Sequence, residues 1–359
     1  MPANWLLRYL IIFLTAAFIT YLVCFPAKFL ARRIGIIDQP NTHKIHKNPT
    51  PRNGGVALFI GFGLSLVLFN YISGGILSTP IWSVLIGAAL TFMVGFLDDL
   101  RVNSGGIPTV LKLLTLCVVT LILAYAGIVV SFPFPTWLSI IITLLWLIGV
   151  TSAFNAFDNM DGLAGGLALI ASLTYLAVAA TTGQWLWGTV SAALAGANLG
   201  FLRHNFYPAS IFMGDGGSFF LGFTLATLGI MGGWSTNPFK AALVPIIILG
   251  IPLFDLAYII IKRQLKGVTK NLKEIIVYCG RDHFSHRLQS LGLSQLQVVL
   301  FVYLLVLATS LGAIILRETP RLEAIILLVQ FLLIAAVIFI IVEIRAAKYE
   351  NSSPYRPER

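Results

Sequence analysis

Long apolar runs alternate with short polar segments along the whole chain. Eleven of these runs approach the roughly 20 residues that a helix needs to cross a membrane, and they cover 5–25, 54–72, 80–97, 109–128, 136–153, 163–181, 185–202, 218–233, 239–261, 295–316 and 321–344. Uninterrupted runs favour helices, because the strands of a membrane barrel would show an alternating pattern. We therefore predict an all-α polytopic membrane protein of eleven transmembrane helices, forming a single domain over residues 1–359.

The composition supports this fold class. Of the 359 residues, 58% are hydrophobic and 11% are charged, against roughly a quarter charged in soluble domains. The mean hydropathy of +0.90 excludes a soluble, disordered or coiled-coil chain. Two of the three cysteines lie in apolar runs and Cys279 in a polar loop, so we expect no disulfide framework. The first run is too long for a signal peptide and lacks a small-residue cleavage site, so we interpret it as a span.

Cationic residues predict the orientation. The net charge is +10, and all but four of the 24 Lys and Arg residues fall in one set of loops or in the tail after residue 344; the four are Arg8, Lys240, Arg317 and Arg321. The loops of that set are 26–53, 98–112, 154–162, 203–217 and 262–294. The positive-inside rule makes this face cytoplasmic, with the N-terminus outside. Scattered cations between spans favour contact with the lipid bilayer over nucleic acid.

Aspartates gather on the same face, at Asp98, Asp99, Asp158, Asp161, Asp215 and Asp282. The positive-inside rule does not depend on acidic residues and so does not explain this grouping. We therefore expect carboxylate chemistry at the inner membrane surface.

Asp98 and Asp99 end the third span. Carboxylates at a helix C-terminus oppose the helix dipole and repel each other, and a divalent cation would relieve both effects. The alternative is a solvated helix end balanced by Arg101.

Two further segments concentrate polar side chains. Asn155, Asp158 and Asp161 lie in a short loop and offer the donors and acceptors that recognise a nucleobase or sugar; Asp161 alone could instead cap a helix. Asp215 is flanked by glycines, which suits close approach to a ligand and Mg²⁺ binding, although an ordinary glycine-rich turn has the same pattern. Asn205 precedes it as a candidate substrate contact.

Two loops supply cations suited to a diphosphate. The candidates in the first are Lys44, His46 and Arg52, and those in the second are His283, His286 and Arg287. A zinc site and general lipid-surface charge are the alternatives, and we assign the latter to Lys262, Arg263, Lys266, Lys270 and Lys273. A capping box is predicted at Ser294 and Gln297. Asp255, inside the ninth run, is either functional or a buried structural acceptor.

These motifs, in this order, resemble the polyprenyl-phosphate N-acetylhexosamine-1-phosphate transferases, membrane enzymes related to phospho-N-acetylmuramoyl-pentapeptide transferase. The resemblance covers nearly the whole chain and rests on four strings: Lys44-x-His46 with Pro51-Arg52-x-Gly54-Gly55, Asp98-Asp99, Asn155-x-x-Asp158-Asn159-Met160-Asp161-Gly162, and Phe212-Met213-Gly214-Asp215-x-Gly217-Ser218.

The resemblance implies transfer of a sugar 1-phosphate from a UDP-N-acetylhexosamine to undecaprenyl phosphate, with release of UMP, at the bacterial inner membrane. The expected donor is UDP-N-acetylglucosamine, and the expected ion is Mg²⁺, with Mn²⁺ as the alternative. It implies catalytic roles for Asp98, Asp99 and Asp215, with Asp215 and Asp99 at the metal. Lys112 resembles a family lysine near the acceptor phosphate. A homodimer is left open.

One position departs from the family pattern. The family's last motif usually reads His-x-His-His-Arg-Leu, and here Ser285 stands in the place of the middle His. Whether the acceptor phosphate attacks directly or an aspartate first forms a covalent intermediate stays open at the level of sequence. An ion-coupled transporter is the competing hypothesis and would rely on Asp255; a scaffold of an envelope-assembly complex is a third.

Overall fold

The structure, a computed structural model, describes residues 5–39, 48–72, 78–101, 105–269, 280 and 282–352, without the side chains of 72, 321 and 346–352. The helices are α1 (Trp5–Ile34), α2 (Gly54–Ile72), α3 (Thr79–Leu100), α4 (Thr109–Tyr125), α5 (Thr136–Phe157), α6 (Leu163–Thr182), α7 (Trp185–Asn205), α8 (Gly214–Met231), α9 (Pro238–Ile248), α10 (Gly250–Leu265), α11 (Phe284–Ser290), α12 (Gln295–Leu316) and α13 (Arg321–Ser352). Two short strands, β1 (Ile37–Asp38) and β2 (Thr50–Pro51), are the only ones in these ranges. The fold is therefore all-α.

Each of the eleven predicted runs contains a helix, but not all of these helices have the length and apolarity of a membrane span. Seven have both: α1, α2, α3, α5, α6, α12 and α13. The α9–α10 pair, bent by 77° at a short break, makes an eighth if it counts as one span, and α4 is a shorter apolar helix. The structure thus supports seven or eight spans among the described residues, and the number eleven and the orientation stay predictions.

Helices α7 and α8 are less apolar because they contact protein on most sides. Helix α7 packs against α1 and α6, and α8 against α3 and α5. Nearly all of α8 from Gly216 to Gly229 is buried. Small residues along both helices allow such close helix packing, as is common in membrane proteins. The outer helices instead expose large apolar side chains, including Leu304 and Leu333, as a surface that faces lipid should.

A small hairpin positions the loop before α2. Strands β1 and β2 pair antiparallel. The Phe212 N–H donates to the Pro51 carbonyl at 2.8 Å, and the Gly54 N–H donates to the Phe212 carbonyl at 2.9 Å. These bonds tie the loop before α2 to the segment that leads into α8.

Helix α3 approaches the start of α8 through a glycine. A Cβ on Gly95 would lie 2.3 Å from the backbone oxygen of Asp215, which is closer than real Cβ atoms come. The absence of a side chain at Gly95 therefore lets the end of α3 reach the first turn of α8. This approach brings three of the predicted aspartates together.

Candidate active site

The ends of α3, α4 and α8 and the loop before α2 form a centre of opposite charges, which we call the acid–base centre: Arg52, Asp98, Asp99, Lys112, Asp158 and Asp215. Arg52 Nη2 lies 2.6 Å from Asp215 Oδ1, and its Nε lies 3.2 Å from Asp99 Oδ1. Lys112 Nζ lies 2.9 Å from Asp215 Oδ2 and 3.1 Å from Asp98 Oδ2. The two cations thus share Asp215. Sequence motifs far apart along the chain meet here, as the resemblance implies.

Asp99 caps a helix that belongs to another part of the chain. Its side chain is 1% exposed, and its two oxygens accept the Asp215 and Gly216 N–H groups, each at 2.9 Å. These amides lie in the first turn of α8, where a helix leaves N–H groups without intrahelical partners. The solvated helix end that the sequence allowed is therefore wrong for Asp99.

Asp98 is more accessible than Asp99, at 17% of its side chain. Its Oδ1 accepts the Ile107 N–H at 2.7 Å, and its Oδ2 faces Lys112. Ile107, just before α4, therefore lies against the end of α3. Asp98 pairs with a lysine from α4, and not with Arg101.

Asp158 adds a further acid to the acid–base centre. It follows α5 and accepts a hydrogen bond from the Gly214 N–H. Burial, and next the negative charges of Asp215 and Asp99, raise its pKa well above the usual value, although Arg52 opposes them. The same acids outweigh burial to raise the pKa of Arg52. Four carboxyl groups thus face two cations, and a divalent cation beside them would favour their charged forms.

The donor set suits Mg²⁺ only in part. Among the described residues, no group of three or more His, Cys, Asp or Glu side chains is arranged around a common point. Mg²⁺ is usually held by one or two carboxylates together with water and substrate phosphates. Asp215 with one neighbouring acid would meet that need. A zinc site with three protein ligands does not form in this part of the chain.

A cavity of about 520 Å³ opens beside the acid–base centre. Five predicted site residues line it: Arg52, Asp158, Asp161, Asn205 and His286. Several other polar residues of its wall are not marked by any sequence motif: Asp38, Asn48, Thr50, Tyr207 and Gln295. Its volume and polar wall suit a small, polar, charged ligand.

Within the 154–165 segment, the predicted site residues serve partly to hold loops. Asp161 Oδ2 accepts the Ala209 N–H at 2.9 Å. Gly162, in the left-handed conformation with φ 78°, is the N-cap of α6, so the helix-cap interpretation of Asp161 is wrong. Asn205 accepts the Gly162 N–H and donates to the Ile211 carbonyl. Asn155, outside the cavity wall, donates to Ser218 Oγ at 2.9 Å.

The second cationic loop is anchored by Asp255. This acid is 1% exposed; its Oδ2 lies 2.8 Å from His283 Nδ1, and its Oδ1 accepts the Phe284 N–H at 2.9 Å. The interpretation of Asp255 as a buried structural acceptor is confirmed. Ser285, at the position that departs from the family motif, donates to Asn159 Oδ1 at 2.9 Å.

Ion pairs hold the other side of α11. Arg287 donates to the Asp282 carbonyl at 2.6 Å and pairs with Glu343 of α13. It does not line the cavity, so its substrate contact stays a prediction. Lys262 also pairs with Glu343, and Arg263 Nε donates to Asp282 at 2.9 Å.

The assignment of Lys262 and Arg263 to the lipid surface is therefore wrong. Burial raises the pKa of Asp282, but Arg263 outweighs it and holds the pKa below the usual value. The capping box of Ser294 and Gln297 is confirmed. Several other residues that the sequence analysis named lie outside the described residues: Lys44, His46, Lys270, Lys273 and Cys279.

Comparison with known proteins places this arrangement in a family. Residues 81–233 match the family described as glycosyl transferase family 4. The chain is 33% identical to a probable undecaprenyl-phosphate N-acetylglucosaminyl 1-phosphate transferase of Bacillus subtilis, over 98% of this chain and 96% of that protein. It is also 33% identical to a decaprenyl-phosphate N-acetylglucosaminephosphotransferase of Mycobacterium tuberculosis, over 84% of this chain and 80% of the relative.

A more distant relative is a phospho-N-acetylmuramoyl-pentapeptide-transferase of Clostridium botulinum. It is 31% identical, over 63% of this chain and 70% of its own length. These similarities agree with the motifs of the acid–base centre. The chain belongs to glycosyl transferase family 4, and to the class of polyprenyl-phosphate N-acetylhexosamine-1-phosphate transferases that its sequence resembles.

Proposed function

We propose that the protein transfers N-acetylglucosamine 1-phosphate from UDP-N-acetylglucosamine to undecaprenyl phosphate and releases UMP. The reaction takes place at the cytoplasmic face of a bacterial inner membrane, as the first membrane step in the synthesis of an envelope polysaccharide. The observation that carries the proposal is the contact of both Arg52 and Lys112 with Asp215 beside a polar cavity. The names of the relatives support the choice of donor and acceptor.

The two cations reduce the electrostatic repulsion between the substrates, which is the main physical obstacle to the reaction. Both substrates carry phosphates, which repel each other as they approach. Arg52 and Lys112 are held in place by carboxylates before substrate binds, so their positive charge is already oriented. An oxygen of the lipid phosphate forms a bond to the sugar-linked phosphorus, and the bond from that phosphorus to the bridging oxygen breaks. UMP leaves with the bridging oxygen.

The carboxylates favour direct attack by the lipid phosphate over a covalent aspartyl intermediate. Each Asp215 oxygen contacts a cation, the Asp98 oxygens meet Ile107 and Lys112, and those of Asp99 accept backbone N–H groups. A carboxylate whose oxygens are already engaged is a poor nucleophile. Asp99 acts as a positioning residue, because its buried side chain holds the start of α8.

Mg²⁺ fits the charge of the acid–base centre, with Mn²⁺ as a substitute. Asp215 and one neighbouring carboxylate would hold it, and Asp99, the second ligand expected from the sequence, is less suited because its side chain is only 1% exposed. When bound, the ion would neutralise phosphate charge as a Lewis acid. The presence of four carboxyl groups around two cations supports this assignment.

The test is a transfer assay with the purified protein, undecaprenyl phosphate and UDP-N-acetylglucosamine, which measures UMP and the lipid product together. We expect both products in equal amounts, and their loss when EDTA removes Mg²⁺. A panel of other UDP-hexosamines identifies the preferred donor. Absence of UMP with every donor contradicts the proposed function, and transfer that survives EDTA contradicts the metal assignment alone.

The transporter hypothesis has no comparable support. It relied on Asp255 as a carrier of a coupling ion, and this acid is occupied by His283 and the Phe284 amide.

A further inference from the structure

Gln295 is a polar residue of the cavity wall without a protein partner. It is 8% exposed and is the first residue of α12. It lines the same cavity as Asp158 and His286. Among the described residues, its side-chain amide has no hydrogen bond or ion pair. The side chain is mostly buried, but its amide atoms stay accessible to the cavity, where a ligand can replace water as their partner.

The local structure of α12 does not need this side chain. The helix start is capped by Ser294 and Gln297, which exchange hydrogen bonds in a capping box. Tyr303, two turns further along α12, donates to the Gly162 carbonyl and so fixes the helix against the start of α6. The cap and this anchor hold α12 in place, and Gln295 is left to face the cavity.

Gln295 comes from a helix that contributes no residue to the acid–base centre. The acid–base centre is built from α3, α4, α8, the loop before α2 and the end of α5, whereas Gln295 begins α12. A glutamine amide is uncharged and offers two donors and an acceptor oxygen. It is therefore suited to a neutral group that also has an N–H and a carbonyl, and less suited to a diphosphate.

We propose that Gln295 is a specificity-determining residue that pairs with an amide-like group of the nucleotide-sugar donor. This inference rests on the proposed function. Two parts of such a donor have that chemistry, the acetamido group of the sugar and the imide of uracil. Either group would pair with the amide on binding, and a donor that lacks the group would exclude water without replacing that partner, which is an effective way to reject a substrate.

The test compares Gln295→Met with the wild-type protein in the transfer assay. Methionine keeps the length and the unbranched shape but removes the donors and the acceptor. We expect KM for UDP-N-acetylglucosamine to rise by about tenfold, with kcat nearly unchanged, because a uniform binding contact is lost. Gln297→Met is the matched control: it disturbs the cap of the same helix but lies exposed, and its KM should stay near that of the wild type.

Two competitive inhibitors distinguish the sources of the amide-like group. UDP-glucose lacks the acetamido group, and UMP lacks the whole sugar. If Gln295 contacts the acetamido group, the inhibition constants of both stay unchanged in Gln295→Met; if it contacts uracil, both rise together with KM. An unchanged KM overturns the inference, as does a fall of kcat alone or an equal effect of Gln297→Met. A wild-type protein that releases no UMP instead overturns the proposed function.

Discussion

Arg52 Nη2 lies 2.6 Å from Asp215 Oδ1, although the two residues are 163 positions apart in the sequence. The same guanidinium directs its Nε to Asp99, which is 1% exposed. One side chain from the loop before α2 thus joins the end of α3 to the first turn of α8. The planar guanidinium group of arginine suits this position, since it presents several hydrogen-bond donors at fixed angles.

Arg52→Lys should therefore abolish most of the transfer without unfolding the protein. A lysine ammonium is a single point of charge and cannot contact both carboxylates in the arginine geometry. We expect the rate to fall by about 100-fold, the usual scale for loss of an oriented charge at a reacting group. UMP release measures the rate, and Arg101→Lys, at the exposed residue that follows α3, is the control. A rate within twofold of the wild type would refute the role of Arg52.

Two glycine substitutions should have opposite effects. In Gly95→Ala, the new Cβ would lie 2.3 Å from the Asp215 backbone oxygen, so α3 and α8 must separate. We expect lower thermal stability and a large loss of transfer, because the acid–base centre lies at this contact. Gly63→Ala in α2 meets nothing within 4 Å and should stabilise the helix by roughly 0.5–1 kcal/mol. Thermal unfolding of both variants in the same detergent tests this pair, and equal shifts would contradict it.

The Asp→Asn variants should fall into two groups by the size of their loss of transfer activity. Asp98→Asn and Asp215→Asn each remove a charge that faces Lys112, and we expect each to reduce transfer by orders of magnitude. Because groups that act as a unit are not additive, the double variant should lose little more than either single one. Asp255→Asn should be milder, since Asp255 contacts α11 and not the acid–base centre. UMP release ranks the variants, and a greater loss in Asp255→Asn would reverse the assignment.

Ser285 should not tolerate the histidine of the family motif. The sequence alone suggests a modest change of donor preference in Ser285→His. In the structure, however, Ser285 is 1% exposed and donates to Asn159. The larger ring overpacks this site, and we expect a loss of stability of about 1–3 kcal/mol. Ser285→Ala avoids the bulk and removes only the hydrogen bond. A chemical unfolding curve separates the two, and an equally stable Ser285→His would show that α11 can move.

The sequence predicts the helices well because each except the short α11 overlaps a continuous apolar run. It does not predict the 77° bend between α9 and α10. Both helices belong to one apolar run, and apolarity alone does not indicate where the chain changes direction. Nor do apolar runs distinguish α7 and α8 from lipid-facing helices. Their neighbours in space, α1 and α3, are distant along the chain.

For the candidate site, the motifs predicted the residues of the acid–base centre but not their partners. The pairing of Lys262 with Glu343 joins residues 81 positions apart, and no local pattern marks Glu343. Gln295 is a related case: its neighbours form a recognisable capping box, and only its burial and its lack of a protein partner single it out. Such residues are found through three-dimensional contacts.

The cap that Asp99 provides to α8 affects how mutational screens of this protein should be interpreted. An asparagine at residue 99 would keep one acceptor oxygen for one backbone N–H. Its side-chain NH₂ would face the other backbone N–H, so two hydrogen-bond donors would meet without an acceptor. The resulting strain would fall on the helix start itself. A screen that scores growth would thus rank substitutions of Asp99 and Asp215 together. Asp99→Asn, however, would disrupt the start of α8, whereas Asp215→Asn would remove a charge that the reaction needs.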